Sequence, residues 1–464
     1  MLLQEVSVLL LLAAHCTRLS CSFNSSNSNH HLSAAQVVIR QHRSSSILAS
    51  ATTMTETEPA HTLPAYTFGL LTDIQHAPIP DGHSYTGNAR YYRHAITAAA
   101  HAAQHFQDLQ VHCVVNLGDI IDGKCVDVLR WGGGADDADV SDCVNSIIVE
   151  EKKISGDECD DGSEESSNTT PNDRDKQVMS VGLNAIDNVL QSLSVYNCGR
   201  ILHTYGNHEL YNLSREQLAT KLEIPFTREP SGDLVGYYTY LFENRDSNYF
   251  NYNKNDKEQS SSMKLRAIVL DTYDVCLLDR CPESSQKRHR AHEILMANNH
   301  NYPQNENSPE GLEGLSRRFV AFNGGIDKPQ LEWLQYSLQC ARSKNEKVII
   351  FSHQPIHPES SFPTCLVWNY DEVLDILRSY NDVVLASFSG HAHQGGYVRD
   401  ETSGIHFRSV EAVLESSPPV RTYAIVDVFD DRLVIRGEGD CLSDVYDLDH
   451  TLSKKNRNEC ASIS

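Results

Sequence analysis

The chain has 464 residues, of which 40% are hydrophobic, and carries a formal net charge of −23 at pH 7. This apolar content is enough to bury a large core, so the composition indicates a soluble globular protein of one to three domains. The acidic balance excludes a non-specific nucleic-acid binder, which needs a basic face to displace counterions from phosphates. An acidic protein that acts on an anionic substrate needs local cations, which bound metal ions supply.

The first 65 residues are interpreted as a targeting leader or a disordered extension. Residues 8–14 are an apolar run of the length of a signal-peptide core, although Glu5 and the lack of Lys or Arg before the run argue against one. Residues 6–55 contain no Asp or Glu, which is typical of an organelle transit segment. The combination resembles the two-part plastid leader of algae. A true start at Met54, giving a cytosolic protein, and ordinary secretion are the alternatives, and no transmembrane anchor is evident elsewhere.

Two predicted strands open the folded region, and each is followed by a polar side chain. Residues 67–72 predict a buried strand that is followed by Asp73 and Gln75. Residues 111–117 predict a second buried strand, which is followed by Asp119. With a predicted helix between them, the two strands indicate a parallel α/β architecture.

Two polar insertions interrupt the domain, which we place at residues 66–440. Residues 124–176 contain three consecutive glycines and an acidic stretch, and they predict a largely disordered insertion. The alternative is a structured lid with its own metal site, but the regular carboxylate spacing of a calcium loop is missing. Residues 279–316 predict a polar surface excursion, and residues 441–464 a C-terminal tail.

Three further predicted strands, at residues 201–204, 348–351 and 383–388, are each followed by amide or imidazole side chains. These side chains belong to Asn207, His208, His353, His391 and His393. Flanking helices are predicted at 89–109, 177–193, 328–342 and 371–379. Other strands are predicted at 237–243, 264–271, 405–410, 423–429 and 432–436, the last three in a second sheet.

Five strand ends therefore carry candidate ligands, in a fixed order along the chain. Each alone has an ordinary interpretation, since Gly-Asp is a common turn and a lone His before Pro is often a capped loop residue. Together they predict one shared site, because ligands collect at the carboxyl ends of strands in α/β proteins. Two divalent cations about 3.5–4 Å apart need a bridging carboxylate, and imidazole and amide groups fill the other positions. Such a pair activates a bridging hydroxide and neutralises a phosphoryl group.

The motifs DxQ, GD, GNHE, H and GHxH resemble those of the calcineurin-like metallophosphoesterase superfamily over residues 68–436. The resemblance implies an α/β fold in which a β-sandwich is flanked by helices and a two-metal site lies at the C-terminal ends of the strands. It also implies the role of each motif residue. The first metal is assigned to Asp73, Gln75 and His393, the second to Asn207, His353 and His391, and Asp119 bridges both. His208 is assigned to no metal and stabilises or protonates the leaving oxygen.

Gln75 is a departure from the superfamily pattern, which has His at this position in most members. An amide oxygen is a harder ligand than imidazole, so it favours Mn²⁺, with Mg²⁺ as an alternative, over zinc or iron. Together with residues 91–94 and 365–370, DxQ resembles the manganese-dependent ADP-ribose/CDP-alcohol diphosphatase branch. That branch hydrolyses the pyrophosphate bond of nucleoside diphosphate esters such as ADP-ribose and CDP-choline. Asp122 argues against the purple acid phosphatases, which carry an iron-binding Tyr there, and is either a support for a neighbouring ligand or a turn residue.

The resemblance leaves the substrate pocket and several functions open. Tyr92, Arg93, Cys365, Trp368 and Asn369 are candidate substrate contacts, although ordinary packing is the alternative for the aromatic residues. The other functions are a phosphomonoesterase, a cyclic-nucleotide phosphodiesterase, a protein phosphatase or an inactive metal-binding interaction module. The complete ligand set and the retained histidine after the asparagine disfavour the inactive module. We expect a monomer with a small-molecule nucleotide substrate and no nucleic-acid partner.

Overall fold

The computed structural model describes residues 63–84, 87–127, 171–229, 232–243, 263–278 and 284–448, with the backbone alone at 171–175 and 177–178. Most of the predicted leader, most of the acidic insertion and most of the C-terminal tail lie outside the described residues.

The described strands are numbered in chain order. They are β1 (Tyr66–Leu71), β2 (Gly82–His83), β3 (Ala89–Arg90), β4 (Cys113–Asn116), β5 (Arg200–His203), β6 (Thr227–Arg228), β7 (Leu234–Val235), β8 (Tyr238–Leu241), β9 (Lys264–Val269), β10 (Glu346–Ser352), β11 (Val384–Ser389), β12 (Gln394–Arg399), β13 (His406–Glu411), β14 (Tyr423–Val428), β15 (Arg432–Glu438) and β16 (Asp444–Asp447). The α-helices are α1 (His94–Asp108), α2 (Pro171–Leu193), α3 (Asn207–Asn212), α4 (Arg215–Lys221), α5 (Gln286–Asn298), α6 (Lys328–Ser343) and α7 (Tyr370–Ser379), and short 3₁₀ turns include Gly123–Asp127, Gly314–Arg318 and Pro363–Cys365.

The first six-stranded sheet has the order β16-β15-β14-β1-β4-β5. Within it β1, β4 and β5 are parallel, and Leu71 pairs with Asn116, which in turn pairs with His203. This register brings the carboxyl ends of the three strands to one level. The loops that follow them, which carry the first three motifs, therefore leave the sheet at the same edge.

The second six-stranded sheet has the order β12-β13-β11-β10-β9-β8. Its inner strands β9, β10, β11 and β13 are parallel, and β8 and β12 pair antiparallel at the two edges. Ser352 at the end of β10 pairs with Ser389 at the end of β11, so the two histidine-bearing loops begin side by side.

The two sheets face each other across an aromatic core. The ring of Phe68 on β1 meets the rings of Phe351 on β10 and Phe388 on β11, with centroids 5.6 and 6.1 Å away. On the other side of β1, Gly69 leaves space for Phe106 of α1, since an added Cβ would lie 2.7 Å from that ring. Helix α6 contributes Leu334 to a second buried cluster that covers β10. The predicted β-sandwich flanked by helices is confirmed.

Several predicted elements differ from the structure. Residues 423–429 and 432–436 were expected in the second sheet, but β14 pairs with β1 and β15 pairs with β14 in the first, and only β13 joins the second. Alternation of apolar residues predicts a strand but does not select its partner. Helix α1 begins at His94 because Ala89–Arg90 pairs with Gly82–His83 instead.

The two predicted insertions contain regular structure where they are described. Helix α2 begins at Pro171, inside the segment predicted to be disordered. Helix α5 lies inside the predicted polar excursion, and it buries Ala291 and Leu295 in a cluster with Trp368. Because the sequence of α5 is polar on average, its two buried apolar residues were not predicted from the sequence.

None of the helices that the structure describes is long and apolar enough to cross a membrane. Cys113 is buried, as is usual for a small apolar residue, whereas Cys198 and Cys340 are half-buried.

Candidate metal centre

The predicted ligand residues meet at one end of the sandwich, where loops from both sheets converge. The loops after β1, β4 and β5 come from the first sheet, and those after β10 and β11 come from the second. The side chains form two groups, and within each group the possible ligand atoms all lie within 4.8 Å of one another. They are Asp73, Asp119 and His393 in one group and Asp119, His353 and His391 in the other. Asp119 belongs to both, which is the position required of a bridging carboxylate.

Backbone strain is concentrated at these residues. Eight of the described non-glycine residues have a positive φ, and five of them are predicted ligands. These five are Asp73 (49°), Gln75 (43°), Asp119 (54°), His391 (63°) and His393 (48°). A non-glycine residue in the left-handed region costs about 1–3 kcal/mol and persists only where the surrounding structure enforces it. The fold therefore maintains several unfavourable conformations in order to direct these side chains to one point.

Glu209, the last residue of the GNHE motif, joins two of the converging loops. Its carboxylate accepts hydrogen bonds from the backbone N–H of Ile120 (2.7 Å) and Gly206 (3.1 Å), and the backbone N–H of His208 donates to Asp119 Oδ1 at 2.9 Å. Burial and the neighbouring Asp119 raise the pKa of Glu209 to about 8. A Cβ on Gly206 would collide with the Asp119 carboxylate, so only glycine allows this approach.

Gln75 lies inside the first group. Its amide nitrogen is 3.0 Å from Asp119 Oδ2 and 3.0 Å from His393 Nε2, and its buried Oε1 has no hydrogen-bond partner among the described residues. Asp73 Oδ1 is 3.3 Å from His393 Nε2. A buried amide oxygen without a partner is costly, and a cation at this point would satisfy it.

Each of the three clustered imidazoles uses one ring nitrogen to bind an oxygen atom outside the two groups. The pairs are His353 Nδ1 with Leu117 O (2.7 Å), His391 Nε2 with Asn323 Oδ1 (2.9 Å) and His393 Nδ1 with Glu415 Oε1 (2.8 Å). These contacts fix the tautomers, because the nitrogen that donates carries the proton. The other nitrogen of each ring faces the centre of the cluster, where it would offer a lone pair to a metal once its proton is displaced.

Asn207 is oriented by Tyr273, which lies in a loop that carries no predicted ligand. The hydroxyl of Tyr273, in the loop after β9, donates to Asn207 Oδ1 at 3.1 Å, and the Tyr273 ring lies 5.9 Å from that of His353. Burial raises the pKa of Tyr273 well above its usual range, so the hydroxyl remains protonated and can donate. Tyr273 thus keeps the amide oxygen of Asn207 oriented beside the second group.

The electrostatics of the cluster favour an added positive charge. Burial alone would lower the pKa of His353 and of His393, but the Asp119 and Asp73 carboxylates raise them to about 9 and about 10. Burial would also raise the pKa of Asp119, yet His353 and His208 hold it well below its usual range. No described Lys or Arg pairs with Asp73 or Asp119, so two buried carboxylates lack a permanent counter-charge. The donor set and its charge fit a pair of divalent cations.

His208 stands at the edge of the cluster. Its Nε2 is 3.9 Å from Asp119 Oδ2, and its Nδ1 accepts the backbone N–H of Gly123 at 2.8 Å. The buried carboxylate of Asp122 lies 3.3 Å from the same Nδ1, a position from which it can accept a hydrogen bond when the His208 ring is protonated. Arg90 approaches Asp122 at 3.4 Å.

The candidate substrate contacts differ from their predicted roles. Tyr92 and Trp368 are 0% and 2% exposed, so neither offers an open face on which a base could stack. The indole N–H of Trp368 donates to Val320 O, and Asn369 Oδ1 accepts the backbone N–H of Ile326. Trp368 and Asn369 therefore support local structure. Side-chain type alone could not show whether these residues lie in the core or in the wall of a pocket.

Two other candidates remain accessible. Cys365 is half-buried, and burial raises the pKa of its thiol to about 11, with a smaller contribution from the negative charge of Asp73. Arg93 is exposed at the N-cap of α1.

The sequence analysis missed a half-buried aromatic ring at the cluster. Phe322 lies in the segment between α5 and α6, and its ring centroid is 5.9 Å from that of His391. It also missed Glu415, Asn323 and Tyr273, which orient ligands from distant parts of the chain. No short motif marks these residues.

The relatives of this chain agree with the geometry. No protein-family model matches the chain. The manganese-dependent ADP-ribose/CDP-alcohol diphosphatase of Arabidopsis thaliana is 32% identical over 375 residues, covering 81% of this chain and 94% of the relative. Proteins of the same name from Danio rerio and Homo sapiens are 32% and 30% identical, again over 81% of this chain and over 96% and 90% of their own lengths. The chain belongs to the manganese-dependent ADP-ribose/CDP-alcohol diphosphatase family.

A solved structure supports the same assignment. The dimetal phosphatase from Danio rerio matches this chain with a TM-score of 0.61 and 29% identity, covering 83% of this chain and 100% of that one. As a member of the diphosphatase family, the chain is a hydrolase that acts on phosphoesters with two metal ions, and manganese is the metal in the family name. The predicted enzyme class and cofactor are confirmed.

Gln75→His is expected to shift the metal preference of this hydrolase from manganese toward zinc or iron. The imidazole is a softer donor than the amide oxygen that it replaces, while the other ligands stay unchanged. The measurement is kcat/KM of both proteins across a series of Mn²⁺, Mg²⁺, Zn²⁺ and Fe²⁺. An unchanged ranking of the four metals would show that geometry or the remaining ligands govern selectivity.

Proposed function

We propose that this chain hydrolyses the pyrophosphate bond of nucleoside diphosphate esters such as ADP-ribose and CDP-choline. The products are a nucleoside monophosphate and a phosphorylated partner. The curated relatives are named for ADP-ribose and CDP-alcohols. The observation that supports a nucleotide in this chain is the half-buried ring of Phe322, whose centroid is 5.9 Å from that of His391. When the phosphate of a nucleotide lies at the cluster, its base can therefore reach the ring of Phe322.

The ligand set divides between two cations. Asp73, Gln75 and His393 would hold the first, and Asn207, His353 and His391 would hold the second. Asp119 would touch both, because its Oδ2 is 3.0 Å from the Gln75 amide and 3.3 Å from His353 Nε2. When bound, such a pair activates water for in-line attack and neutralises charge on the phosphoryl group.

His208 is assigned to the leaving oxygen. In the neutral ring, Gly123 N–H occupies Nδ1 and the ring proton lies on Nε2, at the side of the ring that is 3.9 Å from Asp119 Oδ2. The protonated ring that acts as an acid also carries a proton on Nδ1, which the Asp122 carboxylate 3.3 Å away can accept in a hydrogen bond, and it returns to the neutral form when Nε2 gives up its proton. From there the imidazole can donate to the oxygen that departs from the attacked phosphorus. General-acid assistance of this kind typically contributes about 10²- to 10⁴-fold to the rate.

Phe322 and Cys365 provide one wall for the group attached to the phosphate. The 3₁₀ turn that precedes Phe322, Gly314–Arg318, packs against the turn Pro363–Cys365. Asn323 joins the same wall to the cluster, since it donates to Thr364 O and accepts from His391 Nε2. A base stacked on Phe322 would thus be fixed relative to the second cation.

A substrate panel tests the proposal directly. ADP-ribose, CDP-choline, an aryl phosphomonoester, a 2′,3′-cyclic nucleotide and a phosphopeptide are compared by kcat/KM in Mn²⁺. We expect the two nucleoside diphosphate esters to be the preferred substrates, with release of AMP and CMP. Preference for the aryl phosphate, the cyclic nucleotide or the phosphopeptide would instead assign the chain to one of the other phosphoesterase activities. Hydrolysis of none of them would favour the inactive interaction module.

Phe322→Ala is expected to raise KM for ADP-ribose and CDP-choline and to spare a small aryl phosphate. Stacking of a base on an aromatic side chain contributes about 1–3 kcal/mol, which corresponds to about fivefold to a hundredfold in KM. The control is Phe226→Ala, which removes an exposed ring before β6. Equal losses on the nucleotides and on the aryl phosphate would exclude a base-stacking role for Phe322.

A further inference from the structure

Two side chains at the hairpin of β2 and β3 bind carboxylates that contact imidazoles at the metal centre. Asn88 Nδ2 donates to Glu415 Oε2 at 3.3 Å, and Arg90 Nη1 donates to Asp122 Oδ2 at 3.4 Å. Arg90 lies on β3, and Asn88 directly precedes that strand. Neither carboxylate belongs to the ligand groups, but each one contacts an imidazole of the centre.

The first connection leads to the first cation. Glu415 Oε1 accepts a hydrogen bond from His393 Nδ1 at 2.8 Å, while Asn88 donates to its other oxygen. The backbone N–H of Tyr91 donates to Leu414 O at 3.0 Å, so the hairpin also fixes the main chain beside Glu415. The Asn88 amide therefore limits the rotation of the carboxylate that orients His393.

The second connection leads to the leaving oxygen. Asp122 Oδ2 lies 3.3 Å from His208 Nδ1 and is buried, whereas the Arg90 side chain is 16% exposed. The guanidinium is the only described Lys or Arg side chain that pairs with Asp122. It therefore compensates the buried carboxylate and restrains the oxygen that contacts His208.

We propose that Asn88 and Arg90 are positioning residues with separable effects on the reaction. Asn88 acts through Glu415 on the orientation of His393 and hence on the affinity for one cation. Arg90 acts through Asp122 on the orientation of His208 and hence on departure of the leaving group. The inference rests on the proposed function for the roles of His393 and His208, but not on the choice of nucleotide.

The test compares Asn88→Ala and Arg90→Met with Arg90→Lys and with the control His83→Ala. His83 is exposed on β2 of the same hairpin, so its replacement reports general damage to the hairpin. Two quantities are measured for each full-length variant. One is the Mn²⁺ dissociation constants by titration calorimetry, and the other is kcat for substrates whose leaving groups span a range of pKa.

We expect a crossed pattern. Loss of a residue that hydrogen-bonds a metal ligand typically costs 10- to 100-fold in metal affinity. Asn88 does not contact the ligand itself but Glu415, which does. Asn88→Ala should therefore have a smaller effect and weaken one of the two Mn²⁺ sites about threefold to tenfold. Its dependence on leaving-group pKa should match that of wild type. Arg90→Met should lower kcat about tenfold on poor leaving groups and leave Mn²⁺ affinity unchanged, with partial rescue in Arg90→Lys, which keeps the charge.

Other outcomes overturn the inference. If both variants change the same quantity, or if His83→Ala gives equal losses, the hairpin has only a general structural role. Wild-type Mn²⁺ affinity and leaving-group dependence for Asn88→Ala and Arg90→Met would remove the two assignments outright. Failure of the proposed nucleotide function is recognised separately, because Mn²⁺ affinity is measured without substrate and leaving-group dependence can be measured with aryl phosphates.

Discussion

Asp119→Asn is expected to lower kcat/KM by about 10³-fold, equivalent to about 4 kcal/mol of transition-state stabilisation. Asp119 is the only described residue that belongs to both ligand groups. The substitution keeps the shape of the side chain but removes its charge and one oxygen donor. The binding of both cations is therefore weakened together, whereas loss of any other ligand directly weakens the binding of one cation.

The matched control for this prediction is Asp108→Asn, which makes the same chemical change on an exposed residue at the end of α1. Hydrolysis of ADP-ribose is measured over a range of Mn²⁺ concentrations, so that weak binding and slow turnover are separated. Wild-type kcat in Asp119→Asn at ordinary Mn²⁺ concentrations would exclude its bridging role.

His208→Ala is expected to lower kcat about 10²- to 10⁴-fold on substrates with poor leaving groups, and much less on an activated aryl phosphate. The imidazole lies beside the ligand groups and belongs to neither of them. The Mn²⁺ content should therefore equal that of wild type. Its effect arises only when charge develops on the departing oxygen, so it should grow with the pKa of the leaving group.

The measurement is a plot of log kcat against leaving-group pKa for wild type and His208→Ala, with Mn²⁺ content determined on the same samples. His101→Ala, on the surface of α1, serves as the histidine-to-alanine control. Parallel plots would remove the general-acid assignment, and loss of Mn²⁺ would indicate that His208 supports the ligands instead.

The ligand residues could be predicted from the sequence because their positions depend on local rules. Apolar runs predict the strands, and a parallel register brings the ends of those strands to one edge. The residues after β1, β4 and β5 therefore meet at one edge of the first sheet and those after β10 and β11 at one edge of the second, and the packing of the two sheets brings these edges together. The backbone conformations that turn the side chains inward, such as the positive φ of Asp73 and His391, were not visible in the pattern.

The residues that orient the ligands could not be predicted in this way. Asn323 is 68 positions from His391, and Tyr273 is 66 positions from Asn207, so only the tertiary fold brings each pair together. The same limit applies to the aromatic residues. Trp368 and Phe322 are both large and apolar, yet one fills the core and the other lies half-buried beside His391. Side-chain type alone does not separate these two outcomes.

The most direct test of the central claim is a Mn²⁺ titration of the chelated wild-type protein, followed in parallel by electron paramagnetic resonance and by hydrolysis of ADP-ribose. Two cations that share Asp119 should lie about 3.5–4 Å apart, close enough for their spins to couple. The predicted result is two Mn²⁺ per chain, a spin-coupled spectrum as the second ion binds, and full activity only at that stage. Full activity with a single bound Mn²⁺, or in excess chelator, would contradict it.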